Sequence, residues 1–151
     1  MTARKRVAGF TIVELMTVMI IIGILAGIAL LKYIDLRNTA RAAEVAGAFR
    51  TVGLAAHNHY ADSETWPADG TAGVTPPALV QYLPGGFNFT TPQYTLDYEN
   101  LSIGGGFTMV GVTVSSTNTE LIKKLKQHLG TSAPYFALGG TLTYVIATEA
   151  P

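Results

Sequence analysis

A chain of 151 residues is long enough for one ordinary domain and a membrane segment, but not for two ordinary domains. Hydrophobic residues make up 48% of the chain and charged residues only 13%, and most of the apolar excess lies between Phe10 and Leu31. Basic and acidic residues balance at ten each, which excludes the strongly basic character of a general nucleic-acid binder. The absence of cysteine excludes disulfides, thiolate catalysis and cysteine-ligated zinc.

The chain begins with a short basic leader that is followed by a long apolar run. Arg4, Lys5 and Arg6 lie in the leader, whereas the apolar run from Phe10 to Leu31 has Glu14 as its one charged residue. As a helix, this run would span roughly 33 Å, about the thickness of the hydrocarbon core of a bilayer. Because basic residues remain on the cytoplasmic side, we expect the leader in the cytoplasm and the C-terminal part outside.

The position of the small residues distinguishes this segment from a secretory signal peptide. Such a peptide is cleaved at small residues that follow its apolar core. In this chain the small pair Ala8-Gly9 precedes the apolar run, so cleavage there would remove only the leader. An uncleaved signal anchor is the simplest alternative.

The sequence Ala8-Gly9-Phe10-Thr11-Ile12-Val13-Glu14-Leu15, together with the apolar run after it, closely resembles the prepilin signal of type IV pilins and type II secretion pseudopilins. The resemblance covers about the first quarter of the chain. It implies that a membrane-embedded prepilin peptidase cleaves after Gly9 and methylates the new amine of Phe10. It also implies storage in the inner membrane until an assembly machine moves the subunit into a helical filament.

Glu14 is expected to neutralise an amine at the start of the helix. Cleavage would leave a cationic α-amino group on Phe10, where the helix dipole disfavours a cation. Glu14 lies four residues on, on the same face and one turn away. In the resembling family, this carboxylate would meet the Phe10 amine of a subunit already in the filament. The competing interpretation is a carboxylate that stays in the headgroup region.

Gly23 and Gly27 form a pair of small residues spaced by four, which predicts close helix packing in the membrane or the filament core. A second interpretation is local weakness of the helix, since glycine in a helix interior costs about 1 kcal/mol relative to alanine.

The helix is expected to continue beyond the membrane to about Tyr60. Residues 32–60 contain no proline, and apolar side chains recur at spacings of three and four. This stripe consists of Val45, Phe49, Val52, Ala56 and Tyr60.

A loop rich in proline and glycine is predicted from Asp62 to about Pro92, with a short helix beginning at Pro77. An amphipathic helix is predicted over 119–130, with Gly130 as its stop. Alternating and β-branched residues predict three strands, at Gln93–Tyr98, Phe107–Val114 and Leu142–Ala147.

The predicted fold class is α+β and pilin-like, with a long N-terminal helix packed on a small antiparallel sheet and a short second helix. The first half of the long helix is predicted to be transmembrane. The segments expected are a leader (residues 1–9), a transmembrane half-helix (10–31), an amphipathic half-helix (32–60) and a globular head (61–151).

Other candidate sites carry weaker patterns. His57 and His59 are two residues apart on a helix and cannot share a metal ion, so they are interpreted as surface or loop-packing residues. Asp62, Glu64 and Asp69 offer oxygen ligands for calcium, but their spacing matches no defined loop, and solvated loop acids are the default interpretation. No metal site and no cofactor is predicted.

Lys123, Lys124 and Lys126 form a small basic patch on the second helix. The default interpretation is the solvated face of an amphipathic helix, and the alternative is contact with DNA or with an acidic neighbour. No catalytic spacing of serine, histidine and aspartate occurs, so an enzyme is not predicted.

The function predicted from these observations is that of a structural subunit of a type IV pilus or of a pilus-like secretion filament. The expected partners are other subunits, the prepilin peptidase, an inner-membrane assembly platform and the membrane, but not nucleic acid. The alternative is a minor pilin that acts as a binding module for DNA or surfaces. The expected location is the bacterial inner membrane, with the head in the periplasm, and then a periplasmic or extracellular filament.

Overall fold

The computed structural model describes residues 9–150, so the predicted basic leader with Arg4, Lys5 and Arg6 lies outside the described residues. The chain divides into two units whose boundary falls inside the first helix, between Arg37 and Asn38. The elements are α1 (Ile12–Ser63), a 3-10 turn (Pro77–Leu79), β1 (Thr95–Gly104), β2 (Phe107–Ser115), α2 (Thr119–Leu129), β3 (Tyr135–Leu138) and β4 (Thr141–Glu149).

The N-terminal unit, residues 9–37 as described, is helical from Ile12 onward, and every residue in it is exposed. Among the described residues, α1 is the one helix whose length and composition suit a membrane span. A helix that is apolar on all sides needs lipid or other protein around it, since water cannot accommodate so much apolar surface.

The C-terminal unit, residues 38–150 as described, contains an antiparallel sheet with strand order β1-β2-β4-β3. The predicted stripe of α1 is buried at Val45, Phe49, Val52 and Ala56, whereas Tyr60 is only partly buried. Alternate residues of the strands complete the core, as the two-residue period of a strand requires. These core residues are Leu96 and Tyr98 of β1, Val110, Val112 and Val114 of β2, and Leu142 of β4.

A hydrogen bond at the N-cap residue of α2 joins this helix to α1. Asn118 caps α2 by accepting a hydrogen bond from the backbone N–H of Glu120, and its Nδ2 donates to Oδ1 of Asn38 at 3.2 Å. Asn38 is only 8% exposed, so this bond satisfies a buried polar group. The predicted apolar face of α2 is buried at Leu121, Ile122 and Leu125, and Gly130 ends the helix with a φ of 71°.

Three details of the predicted elements were wrong. The sheet has four strands rather than three, because the four residues of β3 are too few to show a period of two. Strand β1 starts two residues late, at Thr95, and continues to Gly104 because it pairs with β2 up to the hairpin turn. The predicted short helix at Pro77 is a three-residue 3-10 turn.

Gly111 lies where the backbones of β2 and β4 approach each other closely. The register between β2 and β4 shifts between Val110 and Gly111, and a Cβ added to Gly111 would lie 2.9 Å from the backbone oxygen of Tyr144. Only glycine fits beside this bulge without moving β4.

We expect Gly111→Ala to destabilise the C-terminal unit by about 1–3 kcal/mol, because the added methyl group overlaps backbone that the sheet holds in place. Gly47 is the matched control: a Cβ added there meets nothing within 4 Å. Gly47→Ala should therefore stabilise α1 by about 0.5–1 kcal/mol.

Urea unfolding of the full-length chain in detergent measures both changes, with the fluorescence of Trp66, the sole tryptophan, as the probe. A stabilising or neutral Gly111→Ala would contradict the packing described here.

Candidate functional site

The N-terminal candidate site lies in the first turn of α1, where Thr11 and Glu14 hydrogen-bond to each other. The backbone N–H of Thr11 donates to Oε2 of Glu14 at 2.9 Å, and the hydroxyl of Thr11 donates to the same oxygen at 2.8 Å. The backbone N–H of Glu14 in turn donates a hydrogen bond to Oγ1 of Thr11 at 3.3 Å. These reciprocal bonds form a capping box, which satisfies two of the helix donors that have no partner within the helix.

Thr11 is a residue that the sequence reasoning missed as part of the site. The pattern Thr11-x-x-Glu14 before an apolar run is a recognisable capping-box signature, so the information was present in the sequence. Oε1 of Glu14 accepts no hydrogen bond from any other described residue. The carboxylate therefore keeps an acceptor free for a second donor.

Gly9 and Phe10 precede the helix and are accessible. Both lie outside regular secondary structure, and the side chain of Phe10 is 79% exposed. A Cβ added to Gly9 would meet nothing within 4 Å. Among residues 9–150, nothing lies close to Gly9 that would hinder the entry of this peptide bond into a protease site.

Gly23 and Gly27 also face open space, since a Cβ added at either position would meet nothing within 4 Å. Their spacing places them on one face of α1. The face is unoccupied in the single subunit, and it would allow another helix to approach closely.

The predicted basic patch is partly neutralised. Nζ of Lys123 lies 3.7 Å from Oε2 of Glu120, one turn earlier on α2, and both side chains are exposed. Exposed pairs of this kind contribute at most about 1 kcal/mol. Lys124 is half-buried and Lys126 is exposed.

The structure does not bring the three loop acids together as ligands of one ion. Asp62 accepts a hydrogen bond from the hydroxyl of Tyr82 at 2.7 Å, and Asp69 accepts one from the backbone N–H of Asn100 at 3.0 Å. Within residues 9–150, no group of three or more histidine, aspartate or glutamate side chains is arranged to hold a metal ion.

The two histidines near the end of α1 pack against loop aromatic residues. Nδ1 of His57 donates to the backbone oxygen of Gly53 at 2.8 Å, and its ring meets the edge of Trp66 with centroids 5.4 Å apart. Nδ1 of His59 lies 2.9 Å from the backbone oxygen of Thr65. Both rings thus serve local packing.

Tyr60 links the same region to the end of β4. Its ring stacks on Trp66 with centroids 4.5 Å apart, and its hydroxyl donates to Oε1 of Glu149 at 3.0 Å. This bond to a carboxylate raises the pKa of Tyr60 above its usual value. The end of α1 and the end of the sheet are held together by this aromatic cluster.

Asp97 of β1 is the carboxylate with the least favourable surroundings in the C-terminal unit as described. Burial, together with the nearby charges of Glu99 and Asp69, raises the pKa of Asp97 above its ordinary value. Its Oδ1 is buried and accepts no hydrogen bond.

Comparisons with known proteins find relatives of the N-terminal part of this chain and a solved structure with a similar fold. The family described as "Prokaryotic N-terminal methylation motif" matches residues 4–30. The chain is 45% identical over 67 residues to fimbrial protein EcpC of Eikenella corrodens, a match that covers 42% of each chain. It is 39% identical over 70 residues to the type IV major pilin protein PilE1 of Neisseria gonorrhoeae, covering 46% of this chain and 33% of the relative.

The matched regions thus span less than half the length of these curated relatives. A solved structure, the major type IV pilin PilA1 from Clostridium difficile, matches the fold with a TM-score of 0.53 at 18% identity. The match covers 74% of this chain and 98% of that structure. At this identity the likeness concerns the fold, and it confirms the predicted fold class of a long N-terminal helix, a second helix and an antiparallel sheet.

The raised pKa of Asp97 leads to a pH-dependent prediction. The folded state favours the protonated carboxyl, so its stabilising contribution is complete below the unfolded pKa and is lost as the pH rises through the folded pKa. At pH 7 the ionised side chain therefore costs stability. Asp97→Asn should stabilise the C-terminal unit at pH 7 by about 0.5 kcal/mol, a small value because the side chain is only partly buried.

The gain should shrink as the pH falls and disappear below about pH 4, where Asp97 is protonated in both states. Urea unfolding at a series of pH values measures this. A gain that is the same at pH 7 and below pH 4 would show that the charge of Asp97 is not its cause.

Proposed function

We propose that this chain, which belongs to the family of type IV pilins and related pseudopilins, is a structural subunit of a type IV pilus or of a pilus-like secretion filament. The observation that carries the proposal is the prepilin-type N terminus on a fully exposed apolar helix, within a chain that has the pilin fold. In this proposal the chain works by assembly rather than by catalysis.

Processing is proposed to occur between Gly9 and Phe10. A prepilin peptidase would cut this bond on the cytoplasmic side and methylate the new amine of Phe10. The non-helical, exposed backbone at both residues supports this step, because a protease binds its substrate as an extended strand. Gly9 adds no side chain that could hinder this conformation.

Before assembly, the subunit is held in the inner membrane by residues 10–31, with residues 61–151 in the periplasm. The long apolar helix supports this placement, since a helix satisfies all of its backbone hydrogen bonds within lipid. An assembly platform in the inner membrane would then move the helix into a periplasmic or extracellular filament. Residues 32–60 connect the membrane segment to the rest of the C-terminal unit.

In the filament, lipid around α1 is replaced by the helices of other subunits. Gly23 and Gly27 offer a face without side chains for this packing. Glu14, which is bound to Thr11 in the single subunit, is proposed to bind the Phe10 amine of a neighbour through its free acceptor. A charge-assisted bond in a low dielectric is strong, and it would set the axial register of the two helices.

The function is tested by intact mass measured separately on sheared surface material and on membranes of the native cell. A chain that begins at methylated Phe10 in the sheared fraction is the expected result for a surface pilus. The same species confined to membranes would indicate a secretion pseudopilus or a scarce subunit. An uncleaved chain that begins at Met1 in both fractions would contradict the proposal and leave a signal anchor.

The proposed pairing of Glu14 is separable from its capping role. Glu14→Gln keeps an oxygen that can accept from Thr11 but removes the charge, whereas Glu14→Ala removes both. We expect both variants to be cleaved after Gly9. We expect both to lower filament yield by about tenfold or more, because each loses the charged hydrogen bond to the Phe10 amine of the neighbour. Thr11→Ser, which keeps the hydroxyl, should assemble like the wild type.

Filament yield by shearing and cleavage by intact mass measure these effects. If Glu14→Gln assembled like the wild type and only Glu14→Ala failed, capping would be the role of Glu14 and the pairing proposal would be wrong.

A further inference from the structure

The charges of the C-terminal unit are segregated. Residues 51–118 and 130–150 contain no lysine or arginine, but they contain six carboxylates. We call these the acidic surface: Asp62, Glu64, Asp69, Asp97, Glu99 and Glu149. The basic residues of this unit are confined to residues 41–50 of α1 and to α2, and these two segments also carry Glu44 and Glu120.

Contacts place the acidic surface around the C-terminal end of α1. Asp62 lies in the last turn of α1 and Glu64 directly follows the helix. Glu149 is joined to that end through Tyr60. Asp69 is joined to β1 at Asn100, the neighbour of Glu99, and the charges of Asp69 and Glu99 both act on Asp97.

The basic residues lie together at the other end of this part of α1. Helix α2 starts beside Asn38, and its last turn shares a cavity of about 110 Å³ with Arg50 through His128 and Leu129. Helix α2 therefore runs alongside residues 38–50. We call four cations of these two segments the basic surface, each of them exposed or half-exposed: Arg41, Arg50, Lys123 and Lys126.

Along α1, the two basic residues lie too far from Asp62 to neutralise it within one chain. Along α1, Arg50 precedes Asp62 by about 18 Å and Arg41 precedes it by about 32 Å. Both distances exceed the Debye length of about 8 Å at physiological ionic strength. Arg50, Lys126, Glu64 and Glu99 form no ion pair with any described residue.

We propose that the acidic surface of one copy of this chain binds the basic surface of a second copy. Such a contact joins two different surfaces, so it can repeat along a filament built from one kind of subunit. Two copies that met through the same surface would repel each other. Complementary charge also steers the approach of the subunit and fixes its register. The inference rests on the proposed function, since it names the contact that orders the C-terminal units during assembly.

The test reverses the charges that do not hold the fold. Asp62, Asp69 and Glu149 accept hydrogen bonds within the chain, whereas Glu64 and Glu99 accept none from the described residues. One variant is Glu64→Lys with Glu99→Lys, which changes the formal charge of the acidic surface from −6 to −2. The other variant is Arg50→Glu with Lys126→Glu, which changes the formal charge of the basic surface from +4 to 0.

Each double variant alone is expected to give about tenfold fewer filaments than the wild type, because the attraction between the two surfaces is weakened and the substituted positions face residues of their own charge. Co-expression of the two variants should restore the yield to within about threefold, with both masses present in the sheared filaments, since each offers the surface that the other has lost. Glu120→Lys is the matched control. It reverses one acidic side chain on α2 and so adds to the basic surface, and its filament yield should therefore equal that of the wild type.

Urea unfolding of each full-length variant in detergent shows whether the fold is retained. If folded double variants assembled like the wild type, or if co-expression failed to restore filaments, the inference would be wrong. Normal filaments combined with lost DNA uptake in the Arg50 and Lys126 variant would instead assign the basic surface to nucleic acid.

Absence of sheared filaments from the wild type would indicate a secretion pseudopilus or a scarce subunit, whereas an uncleaved chain would contradict the proposed function itself. The inference is then decided with the full-length variants in detergent at low salt. Sedimentation should show that the mixture associates more strongly than either variant alone, and equal sedimentation of all three samples would overturn it.

Discussion

The apolar surface of the first part of α1 is the constraint on which the rest of this molecule depends. From Ile12 to Leu31 every large side chain except Glu14 is apolar and exposed, and a helix that is apolar on all sides has to be covered. Lipid or the helices of other subunits must cover it. In the proposed function, this segment exchanges lipid for the helices of other subunits when the chain leaves the membrane and enters a filament.

Polar groups at the start of α1 make this exchange feasible. Thr11 and Glu14 satisfy each other in the isolated subunit, so the carboxylate need not enter an apolar region without a partner. The same carboxylate retains a free acceptor, which a neighbouring amine can use. In the proposed function, the bonds to Thr11 stabilise the carboxylate before assembly, and the bond to the amine of a neighbour stabilises the filament in the correct register.

Beyond Asn38 the helix changes character from apolar on all sides to apolar on one stripe. The side chains of this stripe pack against one face of the sheet. The hydrogen bond between Asn38 and Asn118 holds α2 near the start of the stripe. Few of the charged side chains described in this unit pair with one another, and most of them belong to two separate surfaces. The surplus charge is available for contacts between copies, at little cost to the stability of one copy, because exposed ion pairs contribute little to folding.

The sequence alone determined the features that depend on local composition and period. The apolar run, the position of Glu14, the buried stripe from Val45 to Ala56 and the amphipathic helix ending at Gly130 follow from spacings of three and four residues. The capping box was also readable from Thr11 and Glu14. The tertiary structure alone decided where β1 ends, that β3 exists and that Asp97 is surrounded by other acids. Each of these depends on a partner strand or loop distant in the sequence, since pairing and charge proximity are set by the fold and not by neighbouring residues.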